Sequence, residues 1–234
     1  MNILAIGAHP DDIEIFCGGT LLKYRRQGHR IFLGLTTSGN IGSNLIEGRE
    51  RIAAEREAEQ MEAARFYEAP VRFLRYDDEG LVDGPEVRRR VLELIRWADP
   101  SVLFTHYPGD PSTDHNMTGT IVSRVILSLP SKNIAAEQPP IETKPSLFYW
   151  DTAAGLHFEP EAYVDISGQI EDKIKALECH KSQEAWMGNF QIHSLSEHLR
   201  LLAQFRGLQA GCRFAEGFRA FRIHGFMPDF KLLP

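Results

Sequence analysis

Asn2-Ile3-Leu4-Ala5-Ile6-Gly7-Ala8 runs directly into His9-Pro10-Asp11-Asp12-Ile13-Glu14, and the architecture of the chain follows from this junction. The first stretch is apolar almost throughout and shows no alternation. That is the pattern of a strand covered on both faces, as in a parallel sheet flanked by helices. In an open sheet of this kind, ligands lie beyond the carboxyl ends of the strands. A dinucleotide-binding turn at this place would be rich in glycine, so that backbone N–H groups could approach a pyrophosphate. This chain sets a histidine and two aspartates there instead. Carboxylates repel a bare phosphate and suit a metal cation.

Outward from the junction, strand and helix patterns alternate. Residues 18–27 carry a helical apolar spacing that stops at Gly28, and 30–36 read as a second strand. Residues 38–48, with three glycines and two asparagines, read as a loop, and 49–67 as a long helix rich in Ala, Glu and Arg. A third strand is expected over 71–76, a loop over 77–84 and a helix over 85–97 with Pro85 near its first turn. A fourth strand covers 101–106, and a helix 116–128. This order predicts an α/β fold: a Rossmann-like, mostly parallel sheet with helices on both faces. The proline-rich stretch 130–145 is expected to be a loop. Beyond it lie short strands at 147–150 and 163–166, helices at 170–179 and 195–209, and a last strand at 218–223. This part reads as a small C-terminal extension. The whole of 1–234 is taken as one domain, with 1–129 the Rossmann-like metal-binding part and 146–234 completing the site.

His9 and Asp12 are three residues apart, so in a turn opening into a helix they face the same way. One imidazole and one carboxylate can then meet one cation, while Asp11 points elsewhere. Catalytic zinc takes three protein ligands and keeps a fourth position for water. The third must come from another strand end, and the fourth strand supplies Thr105-His106-Tyr107-Pro108-Gly109-Asp110-Pro111-Ser112-Thr113-Asp114-His115. Asp114 is placed to orient a histidine. For a His–Asp pair alone, a capped turn is the plainer explanation; two such clusters at two strand ends are harder to explain that way.

Composition narrows the classes. The 234 residues carry a formal net charge of −6, with 43% hydrophobic and 25% charged residues, which suits a globular protein and offers nucleic acid no basic face. The Arg88-Arg89-Arg90 run reads as a solvated helix face. Cys17, Cys179 and Cys212 form no C-x-x-C pair, so neither a disulfide framework nor a thiolate metal site is expected. No run approaches the ~18 apolar residues needed to span a bilayer, and the first residues make a poor signal peptide. A cytoplasmic location is expected, and homo-oligomerisation is left open.

At these motifs the chain resembles the LmbE-like, or PIG-L-like, family of zinc-dependent N-deacetylases. The family's opening A-H-P-D-D-x-E stands here as Ala8 to Glu14, and its D-x-H-x-D-H as Asp110 to His115. The likeness continues through Arg56-x-x-Glu59, Asp78-Glu79-Gly80-Leu81, Val164-Asp165-Ile166, His180-Lys181-Ser182-Gln183 and Arg206-Gly207, over nearly the whole chain. It implies one Zn2+ per chain held by His9, Asp12 and His115, with Asp11 as general base. It also implies Arg56 and Asp78 as contacts to a small-molecule, amino-sugar-type substrate, whose N-acyl group, N-acetyl first of all, is hydrolysed to a free amine and acetate. One position departs: the family's first histidine of D-x-H-x-D-H is Ser112 here, which leaves oxyanion stabilisation to another group, with His106 and His180 as candidates. A nucleotide-binding module without hydrolysis and a two-metal phosphoesterase are the rival readings. Residues 130–145 and 186–198 are the segments expected to select the substrate.

Overall fold

The protein, described from a computed structural model over residues 1–142, 144–187 and 193–234, is built on a seven-stranded sheet. The strands are β1 (Asn2–Gly7), β2 (Arg30–Thr37), β3 (Val71–Tyr76), β4 (Val102–Thr105), β5 (Ser146–Trp150), β6 (Ala162–Asp165) and β7 (Ala215–Ala220), in the order β3-β2-β1-β4-β5-β7-β6. The first five in chain order pair in parallel, and β7 pairs antiparallel with both β5 and β6.

The unalternating apolar runs resolve in three dimensions into alternating ones. Ile3 and Ala5 enter one core layer, Leu4 and Ile6 the other. The first layer is closed by α1 (Asp12–Phe16), α2 (Gly18–Arg26), α6 (Ile170–Leu177) and α8 (Leu195–Ala210); the second is closed by α4 (Pro85–Ala98) and α5 (Thr113–Val125). Two further helices, α3 (Arg49–Ala63) and α7 (Lys181–Met187), flank the carboxyl ends of the strands, where the site lies. Both faces of β1 are therefore dry, and the run had to be apolar throughout.

The doubly covered α/β sheet is as the sequence predicts, with one correction to its far edge. The C-terminal part extends the same sheet: β6 and β7 join it by antiparallel pairing. The final strand is Ala215–Ala220 rather than 218–223, with Phe218 and Ala220 in the core layer. A second correction concerns 130–145. This segment enters β5 at its amino end, opposite the carboxyl ends where the ligand loops sit. The buried guanidinium of Arg96 pins it there by donating to the carbonyls of Leu129, Ser131 and Gln138. It lines no part of the cavity described below. No helix among the described residues is long and apolar enough to cross a membrane.

Candidate active site at the ends of the first and fourth strands

After β1 the chain must turn at once to start α1, and Asp11 takes up the turn with φ 108°. A side chain adopts that region only where its surroundings impose it. Here the Asp11 N–H donates to Gln60 Oε1 at 3.2 Å, and Arg56 Nη2 donates to Pro10 O at 2.5 Å while standing 3.3 Å from Asp11 Oδ2. The next residue, Asp12, opens α1, and its Oδ2 accepts the His9 N–H at 2.6 Å. Turn and helix start thus bring the His9 ring and the Asp12 carboxylate together, with Nδ1 3.5 Å from Oδ2.

The second loop leaves β4 and re-enters as α5, which carries Asp114 and His115 in its first turn. Gly119 sets how close α5 can come: a Cβ there would stand 2.2 Å from the His106 carbonyl oxygen. With the helix seated that closely, the His115 ring stacks on His106 at 4.0 Å between centroids, and His115 Nε2 stands 3.1 Å from Asp12 Oδ1. His9, Asp12 and His115 each offer a donor atom within 4.8 Å of the others. The other His115 nitrogen, Nδ1, faces Asp110 Oδ2 at 3.4 Å, and His9 Nε2 faces Asp114 Oδ2 at 3.2 Å. Each imidazole has its own carboxylate, the arrangement that orients metal-bound histidines. Asp114 sits at the place expected of it. Asp110 opens the D-x-H-x-D-H motif, but nothing in the sequence marked it as the partner of His115.

His106 stands behind this cluster, wholly buried and absent from the cavity wall. Its Nδ1 faces Trp150 Nε1 at 3.1 Å, and its Nε2 faces both Asp12 Oδ2 and the Ala8 N–H at 3.0 Å. An indole N–H only donates and a carboxylate only accepts. The indole N–H takes the lone pair of Nδ1, which leaves the proton of the neutral ring on Nε2, between Asp12 Oδ2, which can accept it, and the Ala8 N–H, which cannot. His180 is also wholly buried. Its Nε2 lies 3.2 Å from Glu14 Oε2, and Glu14 Oε1 accepts from Gln60, the residue that holds the Asp11 N–H. Neither histidine lines the cavity, so neither can replace the missing family histidine by direct contact. Both act through the residues that carry the site.

Electrostatics explain what the cluster is built for. Burial alone would lower His9 and His115, but the surrounding carboxylates outweigh it and hold them up at about 9 and about 10. Burial disfavours the Asp12 carboxylate as well, yet His115 and His106 hold it well below the usual range. His106 is driven the other way, to about 4, by burial and by His115. Burial also raises Asp11, to about 6, against the pull of Arg56. Without a metal, protons on two imidazoles supply the positive charge that the carboxylates require. A divalent cation displaces those protons on binding. Two nitrogens and one carboxylate oxygen are a donor set that zinc accepts with a position to spare. The residues present therefore fit a metal ion.

The cluster opens into a cavity of about 360 Å³. Its lining includes polar residues, among them Asp11, Arg56, Asp78, Glu79, Ser112 and Asp114, and apolar ones, Ile15, Phe16, Ile41, Trp186 and Leu195. Arg56 makes no ion pair with Glu59, which instead accepts from the Ser182 N–H and hydroxyl. Its two terminal nitrogens go to Pro10 O, Gly39 O and Asp11, and its buried Nε has no hydrogen-bond partner among the described residues. Gly39 makes room for it, since a Cβ there would lie 2.3 Å from Nη1. Asp78 accepts the Gly39 and Ile41 N–H groups at 2.7 and 3.3 Å, which fixes the 39–42 loop over the cavity. Of 186–198, Trp186, Leu195 and His198 reach the wall, and 188–192 lie outside the described residues.

Comparison with known proteins agrees with this geometry. Diacetylchitobiose deacetylase of Thermococcus kodakarensis is 28% identical over 93% of this chain and 82% of its own length. The structure of N,N'-diacetylchitobiose deacetylase from Pyrococcus horikoshii superposes with a TM-score of 0.83 at 28% identity, covering 98% of this chain and 88% of that one. The 4-carboxy-2-hydroxymuconate hydratase GalB of Pseudomonas putida superposes almost as well, with a TM-score of 0.82 over 97% of this chain and 100% of its own, but at 19% identity. That likeness shows the fold alone, and one fold hosts more than one chemistry. The model of the PIG-L family, GlcNAc-PI de-N-acetylase, matches residues 4–126, more than half of the chain and both metal-motif loops, and the protein belongs to that family.

Proposed function

We propose that the protein is a zinc-dependent N-deacetylase that cleaves the acetamide of an N-acetylglucosamine-containing glycoside, releasing acetate and a free amine. The observation that carries this reading is Asp11. It is a carboxylate at the cavity wall, one residue from the ligand cluster, kept out of that cluster by its own turn and flanked by a buried guanidinium. His9, Asp12 and His115 would hold the ion. Zinc there supplies Lewis acidity to a water and to the amide carbonyl.

The chain's own groups do the rest. Asp11, ionised above about pH 6, accepts a proton from the attacking water and returns it to the leaving nitrogen. Arg56 keeps Asp11 in the orientation its strained backbone starts. Asp110, Asp114 and His106 fix the three ligands so that they meet the ion without rearrangement. Asp78 and the 39–42 loop form one wall of the substrate site. The same reading places the chain in a reducing cytoplasm, which suits the buried free thiols of Cys17 and Cys179.

The test is a paired assay on chelator-treated protein. Amine and acetate should appear in equal amounts from N-acetylglucosaminides only after zinc is restored, at one zinc per chain. Hydration of an unsaturated tricarboxylate such as 4-oxalmesaconate, with no amide cleavage, would overturn the proposal in favour of the hydratase chemistry that shares this fold.

A further inference from the structure

We propose that Gln60 is a positioning residue for the base Asp11, and that the buried pair of Glu14 and His180 sets the direction in which its amide points; this rests on the deacetylase reading, which makes Asp11 the base, and deepens it. An aspartate at φ 108° has to be held there by its neighbours. The backbone of this turn is held at three points. Pro10 O accepts from Arg56 Nη2 at 2.5 Å, the Asp11 N–H donates to Gln60 Oε1 at 3.2 Å, and Asp11 O accepts the Ile15 N–H at 3.0 Å. The first two belong to one peptide group. Arg56 and Gln60 stand at i and i+4 on α3, so one face of that helix grips the Pro10–Asp11 peptide at its oxygen and at its hydrogen. A planar unit held at both ends cannot turn without breaking both bonds. Its orientation fixes φ of Asp11, and with it the direction in which the carboxylate leaves the chain. Arg56 also faces that carboxylate; Gln60 acts on the base through the backbone.

The amide of Gln60 can serve only one way round. The Asp11 N–H donates, so Gln60 must turn its carbonyl to it and its NH2 away. On that far side Glu14 Oε1 accepts from Gln60 Nε2 at 3.1 Å, and Glu14 Oε2 lies 3.2 Å from His180 Nε2. Glu14, Gln60 and His180 are wholly buried, so each polar end has to find its partner inside the fold. An amide turned end for end would set NH2 against the Asp11 N–H and a carbonyl against Glu14, two repulsions in place of two hydrogen bonds. His180, in the turn between α6 and α7, thus reaches the base through Glu14 and Gln60.

The experiment uses the full-length, zinc-loaded, nitrogen-15-labelled enzyme and the variant Gln60→Met, which keeps the side chain's length and removes both polar ends. Zinc should stay at one per chain. On N,N'-diacetylchitobiose, kcat should fall about 10- to 100-fold, the scale of a small misplacement of a reacting group. KM should move by less than about twofold, the pattern of a group that acts on the transition state alone. The Asp11 amide proton should exchange with solvent at least about fivefold faster, as the loss of one hydrogen bond requires. A kcat per folded, zinc-loaded chain within about twofold of wild type overturns the proposal, because Gln60 would then only fill space. Loss of zinc together with activity overturns it too, because the effect would run through the ligands. Should Gln60→Met not fold, Gln60→Asn, one methylene too short to reach both partners, takes its place with the same expectations. The wild type also gives a reading without any variant: a freely exchanging Asp11 amide overturns the proposal. If the wild type cleaves no N-acetylglucosaminide, the deacetylase reading fails, and amide exchange decides alone. Faster exchange at Asp11 in the variant, with zinc retained, then supports the hold of Gln60 on this turn, and unchanged exchange overturns it.

Discussion

The two halves of the chain contribute to the site in different ways. Residues of the first half carry the groups that would touch an ion or a substrate's reacting bond, and they sit in two short loops at adjacent strand ends. Residues of the second half add part of the cavity wall, but their buried polar groups serve mainly as struts. Trp150 sets the proton of His106, His180 holds Glu14, and Lys173 pairs with Glu216 at 2.6 Å. Glu216 in turn accepts the N–H groups of Gly19 and Thr20 at 2.8 and 2.7 Å, which ties β7 and α6 to the amino end of α2. A reactive group must be close to the chemistry, so it is concentrated in a motif. A strut only has to reach its partner, so it can come from anywhere in the chain.

The strongest way to break this comparison is at the ligands and the base. His115→Ala should abolish tight metal binding and activity together, whereas Asp11→Asn should keep about one zinc per chain and lose about 10²- to 10⁴-fold in kcat. Metal analysis beside kinetics checks both, and an Asp11→Asn enzyme with near-normal turnover removes the base from the mechanism. Next in size is the strut at Lys173. Lys173→Met leaves Glu216 charged and buried without its cation, which should cost about 3–5 kcal/mol in urea unfolding. Its metal stoichiometry should be unchanged in the protein that remains folded.

A smaller effect sharpens the boundary between the halves. Trp150→Phe keeps the packing against His106 and Phe16 but deletes the donor that forces the His106 proton onto Nε2. Zinc affinity should fall about tenfold, the lower end of losses for groups that orient ligands. Nitrogen-15 spectra of the His106 ring should show protonated Nε2 in the wild type and a mixture of tautomers in the variant. Unchanged affinity and an unchanged tautomer would mean that the second half does not reach the ligands by this route.

Much of the candidate site was legible before any coordinates. His9, Asp11 and Asp12 are contiguous, and the i, i+3 spacing of two of them is a statement about one turn of chain. His115 was legible through the family motif that it closes after the fourth strand; that this strand lies beside β1 came only with the fold. Asp110, Gln60 and Trp150 were not, since their roles depend on which oxygen or nitrogen they meet across the fold. His106 and His180 show the limit most clearly. As sequence, both are histidines near a site and candidates to replace the histidine absent at Ser112; as structure, both are sealed beneath it. The apolar pattern at 147–150 and 218–223 marked strands correctly in kind, but not the antiparallel pairing that joins them to the main sheet.

The order of apolar runs, read alone, determined a parallel sheet covered on both faces, and the residues at two strand ends determined a metal-binding chemistry there. Both are local properties: burial on two faces demands an unbroken apolar strand, and a ligand turn demands its donors within a few residues. Tertiary structure alone decided that Arg56 turns to Asp11 and the backbone, that His106 lies behind Asp12 rather than before the substrate, and that β6 and β7 complete the sheet. Those outcomes depend on partners 45 to 197 positions away, whose meeting is set by packing and by the directions of individual hydrogen bonds.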